Sequence, residues 1–276
     1  MLKVGPYRLH AIPSGTFGLD GGAMFGIVPR PLWEKQVPPD AQHRIPLSLR
    51  LLLIEGPDRT FLVDTGIGDK FDAKANRIYD VDARLPDAAL RAAGFDPAAV
   101  TDVILTHLHF DHGGGSTRAD GTAVFPGARY HVQRRQLEWA RSPSMKDRGS
   151  YRDLDFMPLL EEGRLEQADG RCALADGIEV LPVDGHTPAM QLVKVGDGTT
   201  TVLYVADLVP TRAHLRTPWV MGYDNEPLKT VKEKTLWVGK AAEEGWILFL
   251  EHDAGTAALR VRAGEKDFEP LEEVAF

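Results

Sequence analysis

Residues 102–115 read DVILTHLHFDHGGG, a short apolar run that delivers His107, His109, Asp111 and His112 and then breaks into three glycines. Val103, Ile104 and Leu105 are aliphatic and the run is too short for a helix, so it reads as a buried strand ending near Thr106. His107 and His109 are two residues apart, which points both rings the same way if extended backbone continues. A zinc-protease helix would space its histidines by four and set a glutamate beside the first, so this is not that site. Gly113, Gly114 and Gly115 can take φ values closed to other residues and let backbone approach an ion closely. One or two histidines in a loop are an ordinary solvated turn; four ligand-competent side chains within residues 107–112 predict a metal centre.

Other apolar runs end in similar chemistry. Residues 45–56 and 59–66 read as a hairpin about the turn Gly56-Pro57-Asp58, and the second run ends in Asp64. A carboxylate at a buried strand end is costly unless paired. Asp64 therefore reads as the partner behind a ligand histidine, its alternative being a turn aspartate bonded to its own backbone. Residues 175–183, 191–195 and 201–206 read as three strands; the first leads into Asp184-Gly185-His186-Thr187-Pro188 and the third into Asp207. A helix over 226–243 would bury Leu228, Val231, Thr235, Val238 and Ala242, and the strand WILFLEHD after it ends in His252. Shorter helices are expected over 86–93, 133–140 and 153–160, and a strand pair over 123–132. His131 reads as packed, and His10 and His43 as structural or surface residues.

A first strand is expected at 7–12, followed by a loop over 14–44 that holds four prolines and five glycines. A loop of that length is usually functional or disordered, and this one is too apolar for disorder. Met24, Phe25, Ile27 and Trp33 from the loop, with Phe110 between the ligands, are expected to wall a pocket over the metals, and Tyr223 is a candidate to enter it from before the last long helix. No repeat, low-complexity stretch or linker divides the chain, so residues 1–276 read as one domain. A net charge of −8 argues against a grip on phosphate backbones and makes nucleic acid an unlikely substrate class. No signal-peptide core or membrane-length apolar run occurs, so no membrane partner and a cytoplasmic location are expected. Cys172 is the only cysteine; any metal must be held by imidazole and carboxylate, and Cys172 itself reads as a small buried hydrophobe.

The order HxHxDH at His107, His109, Asp111 and His112, then GHTP around His186, then Asp207, then His252, resembles the metallo-β-lactamase superfamily over nearly the whole chain. The resemblance implies an α+β fold, an αββα four-layer sandwich of two mostly antiparallel sheets face to face with helices outside. It also implies a dinuclear site: His107, His109 and His186 on one ion, Asp111, His112 and His252 on the other, and Asp207 bridging. Asp111 and Asp207 would be the carboxylates taking part in catalysis. Such a donor set suits zinc, and equally manganese, iron or cobalt. Two ions so held would activate a bridging water for hydrolysis. The cysteine-ligated zinc β-lactamases need a thiol that these motifs lack, and the nuclease and flavodiiron branches need extra domains. The phrases LVDTG, GHTP and FLEHD are most similar to N-acyl homoserine lactonases and organophosphate hydrolases, implying a small-molecule lactone or ester substrate and leaving room for a homodimer. Organophosphate triester hydrolysis and an iron-dependent persulfide dioxygenase are the alternatives. One departure stands out: lactonases typically place a tyrosine three residues after the bridging aspartate, where this chain has Pro210.

Overall fold

The run Leu51-Leu52-Leu53-Ile54 is apolar at every position because its strand is covered on both faces. A computed structural model describes residues 1–276. In the strand Arg44–Glu55, Leu52 and Ile54 enter a core shared with Phe61, Val63, Ile104 and residues of a second sheet such as Val193 and Val202. Leu51 and Leu53 point the other way, to Leu62, Val103 and Leu105 and to Leu90, Leu137 and Phe156 beneath the covering helices. The period of two thus separates one continuous apolar run into two cores. Each such side chain fully removed from water contributes about 1.5–3 kcal/mol.

One sheet runs, in spatial order, Leu2–Val4, Tyr7–Asp20, Arg44–Glu55, Thr60–Val63, Asp102–Ile104, Arg129–Gln133 and Leu165–Ala168, with the short Asp82–Ala83 paired to Tyr7–Asp20. The other runs Phe268–Glu273, Ala258–Ala263, Ile247–Phe249, Thr201–Tyr204, Met190–Gly196, Ile178–Val183 and Cys172–Ala175. Helices Pro86–Ala92 and Arg134–Arg141 pack on the first sheet, and Pro227–Glu244 packs on the second. This is the expected αββα sandwich, but the sheets are mixed: Thr60–Val63, Asp102–Ile104, Arg129–Gln133 and Leu165–Ala168 pair parallel, as do Thr201–Tyr204 and Ile247–Phe249. Parallel pairing sets the ends that carry Asp64, His107 to His112, Asp207 and His252 on common edges. Ile178–Val183, two antiparallel steps from Thr201–Tyr204, runs the same way and brings His186 to that edge.

Several expectations are corrected. The first strand continues to Asp20 by pairing with Arg44–Glu55, and residues 21–33 hold two short helices, Gly21–Phe25 and Arg30–Trp33, so 14–44 is not one long loop. Residues 175–183 split at a turn where Gly177 has φ 75°. Residues 123–128 form no strand beyond a single bridge at Ala123. The long helix turns a different face inward: Thr230, Lys234, Val238 and Ala241 are buried, while Leu228 is 78% exposed. Lys234 displaces the apolar stripe because its Nζ donates to the carbonyls of Arg216 and Trp219. The closing hairpin Ala258–Ala263 with Phe268–Glu273 went unpredicted; its second strand is charged and almost wholly exposed. No helix is long and apolar enough to cross a membrane.

Candidate metal centre

Gly114 and Gly115 after the cluster are set by close approach, not by unusual φ. A Cβ on Gly114 would press into the carbonyls of Phe110 and Ile67, and one on Gly115 into that of Thr65, and none of the three glycines has positive φ. The loop closes onto the Asp64–Gly66 segment, with Thr65 N and Oγ1 both donating to the His112 carbonyl. The turn around His186 is held by the long helix. Glu233 accepts from the amides of Asp184 and Gly185 at 2.7 and 2.9 Å, and a Cβ on Gly185 would run into the Thr230 backbone.

These segments bring seven side chains together, all buried. His107 Nε2 and His186 Nε2 each lie 3.1 Å from His109 Nδ1, and His186 Nε2 lies 3.2 Å from Asp207 Oδ2. His112 Nε2 lies 3.1 Å from His252 Nε2, with Asp111 Oδ2 at 3.9 and 3.8 Å from the two. Asp207 stands between the groups, its Oδ2 3.6 Å from His112 and its Oδ1 3.3 Å from His252.

The outer nitrogens explain why the inner ones converge. His107 Nδ1 meets Thr106 Oγ1 at 3.0 Å, and that hydroxyl donates to Asp64. His186 Nδ1 donates to Asp224 at 2.9 Å and His252 Nδ1 to the Ser48 carbonyl at 2.8 Å. His112 Nδ1 has Asp64 Oδ2 and Glu251 Oε2, both at 3.0 Å. With protons outward on Nδ1, four rings aim Nε2 lone pairs inward, and His109 alone presents Nδ1. Lone pairs facing one another at 3.1 Å repel unless something positive lies between them. Burial, reinforced by neighbouring imidazoles, pushes His107 and His109 well below the usual histidine range. Burial also opposes charge on His112 and His252, but Glu251, Asp111 and Asp207 outweigh it at His112, and Asp207 and Glu251 raise His252 to about 9. The carboxylates thus draw positive charge toward the His112 and His252 nitrogens, a demand that a divalent cation between them would meet. Converging nitrogen lone pairs around a buried carboxylate fit a divalent cation.

Asp64 stands behind His112, with φ 58° and its Oδ1 accepting from the Thr106 amide. Asp224 and Glu251 were missed. Glu251 is wholly buried and adjoins His252 in FLEHD, which was a readable signal; burial raises its carboxyl to about 7, with His112 opposing. Asp224 carried no signal beyond lying next to Tyr223. His131 is off the site, bonded to Asp102 at 2.7 Å, and Cys172 is only half-buried. His10 pairs with Glu55, and His43, at φ 66°, lies near Arg30.

A cavity of about 210 Å³ opens on His109, Asp111, His186, Asp207 and His252. Met24, Phe110 and Tyr223 wall it, joined by Leu19, Leu47 and Met221. Phe25 and Trp33 do not reach it. They stack on each other at 5.2 Å in the apolar cluster behind, because the helix Gly21–Phe25 turns Phe25 onto His214 and Trp219. Ile27, in the turn after that helix, is 90% exposed and faces solvent.

Residues 51–252 match the model of the metallo-beta-lactamase superfamily, and the chain belongs to that family. Fold, site and relatives together make it a metal-dependent hydrolase. It is similar to a probable metallo-hydrolase of Mycobacterium tuberculosis, 26% identical over 272 residues covering 84% of each chain. It is also similar to an N-acyl homoserine lactonase of a Bacillus species, 26% identical over 265 residues covering 89% of this chain and 93% of that one. Among solved structures, a probable metal-dependent hydrolase from Staphylococcus aureus matches with a TM-score of 0.90 at 27% identity, covering 99% of this chain and 100% of that one.

Proposed function

We propose that the chain hydrolyses a small lactone or simple ester with two divalent ions, zinc foremost, in the manner of a quorum-quenching lactonase. His107, His109 and His186 would hold one ion, Asp111, His112 and His252 the other, and Asp207 both. When bound, such ions supply Lewis acidity toward a carbonyl and bring the pKa of water from ~15.7 down to ~7. The chain's own part is orientation and exclusion. Asp64, Asp224 and the Ser48 carbonyl fix the tautomers of His112, His186 and His252. The apolar wall of Met24, Phe110 and Tyr223 receives the organic part of the substrate and keeps bulk water from it. Burial raises the Tyr223 phenol above its ordinary range, so it stays a neutral donor, suited to the role of the hydroxyl that Pro210 cannot supply.

The observation that carries this reading is the convergence of buried lone pairs and Asp207 at the floor of an apolar-walled cavity. The lactonase relative supports the lactone as first substrate to try. Metal analysis of purified protein should find about two ions per chain, and a panel of lactones and aryl esters should include a substrate turned over by wild type and lost in His109→Ala. Protein that holds no metal tightly, or a His109→Ala variant with full activity, overturns the assignment.

A further inference from the structure

The cavity over the metal centre carries one cation of its own. Lys146 lines it together with His109 and His186. Its Nζ donates to the main-chain oxygen of Tyr223 at 2.7 Å and to Asn225 Oδ1 at 3.4 Å. Both acceptors are neutral. The nearby carboxylates of Asp224 and Asp147 act on Lys146 through their charge, but their hydrogen bonds go to other donors. Asp147 accepts from Trp139 Nε1, Ser144 Oγ and Asn225 Nδ2, and Asp224 accepts from His186 Nδ1 and the Met221 amide. Lys146 is exposed at the cavity mouth, and of the ammonium's three hydrogens at least one is not taken by these two acceptors. The chain as a whole is at −8, which repels anions at long range, so an anionic arm that points away from the metal-binding floor settles only where another local cation receives it.

We propose that Lys146 is a specificity-determining residue that receives a carboxylate carried on the arm of the substrate remote from the scissile carbonyl. The preferred substrate is then an acidic lactone or ester. This rests on the hydrolase reading above and deepens it: the apolar wall takes the methylene arm, and the ammonium reads its end. A charge-assisted hydrogen bond beside apolar walls is roughly twice as strong as a neutral one and accounts for a preference of at least about tenfold.

The test uses two substrates with arms of equal length, 4-nitrophenyl hexanoate and the mono-4-nitrophenyl ester of hexanedioic acid. Both are given to metal-loaded wild type and to Lys146→Gln, Lys146→Glu and Lys146→Arg. Wild type should favour the acidic ester by about tenfold or more in kcat/KM, Lys146→Gln should bring the ratio near one, and Lys146→Glu should invert it. Lys146→Arg should keep the preference, and added salt should shrink it in wild type. Turnover of the neutral ester with no acid preference in wild type, or with a preference that Lys146→Gln leaves intact, overturns the role of Lys146 alone. Wild type that is metal-loaded and cleaves neither ester nor any lactone overturns the hydrolase reading, and this proposal with it.

Discussion

His214 is neutral because of where the fold puts its two nitrogens. Nε2 donates to the Met24 carbonyl at 2.8 Å, Nδ1 meets Thr211 Oγ1 at 2.8 Å, and the ring stacks on Phe25 at 4.7 Å. Burial, with Lys234 adding to it, brings its pKa down to about 4. An unfolded histidine titrates near ~6.5, so between that pH and about 4 the unfolded chain binds a proton that the folded chain does not. The contribution is full above the unfolded value and is lost as pH falls through the window. His214→Gln should be less stable than wild type at pH 7, and the gap should narrow by up to about 3 kcal/mol by pH 4 in urea titrations. A pH-independent gap would mean the ring is not held neutral. Asp64 makes a different prediction. Asparagine tolerates its φ of 58°, so Asp64→Asn should keep the fold while weakening metal binding roughly 10- to 100-fold in chelator competition. Unchanged affinity would leave Asp64 a turn residue.

At the scale of elements, the segment Gly21–Trp33 supports the cavity more than it lines it. Phe25 is fully buried among Trp33, His214 and Trp219. Phe25→Ala should therefore cost about 3–5 kcal/mol of stability, with activity on short and long substrates falling together. Met24, which reaches the cavity, should behave otherwise: Met24→Ala should raise KM for long-arm esters more than for short ones. Equal effects of Met24→Ala on both would remove the segment from substrate binding.

For the molecule as a whole, two sheets and their loops are joined at one edge by seven buried side chains whose lone pairs and carboxylates oppose one another without a cation. Ligand binding to the folded state stabilises it by mass action. Removing metal with a strong chelator should lower Tm by several degrees or more, and restoring zinc should recover it, read by thermal melts at fixed pH. Identical melts with and without metal would show that the imidazole cluster is stable by itself.

The candidate metal centre was legible in the chain because its possible donors are chemically distinctive and end apolar runs: His107 to His112, His186, Asp207 and His252, which the fold brings together, could be picked out one by one. The sandwich was expected through the resemblance those motifs carry, and the all-apolar run Leu51–Ile54 agrees with it, since burial on both faces leaves no polar position. What could not be read depends on partners remote in sequence. The extension of the first strand to Asp20 is decided by pairing with Arg44–Glu55, and the inward face of Pro227–Glu244 by two carbonyls that receive Lys234. Met24, Phe25 and Ile27 are near neighbours of like polarity, and only a five-residue helix and the turn that ends it send one to the cavity, one to the core and one to solvent. Asp224 and Lys146 belong to the site for the same reason, by tertiary approach to His186 and Tyr223. Local sequence specifies which groups can do chemistry and which runs must be buried; hydrogen bonds and packing between distant segments decide where those groups point.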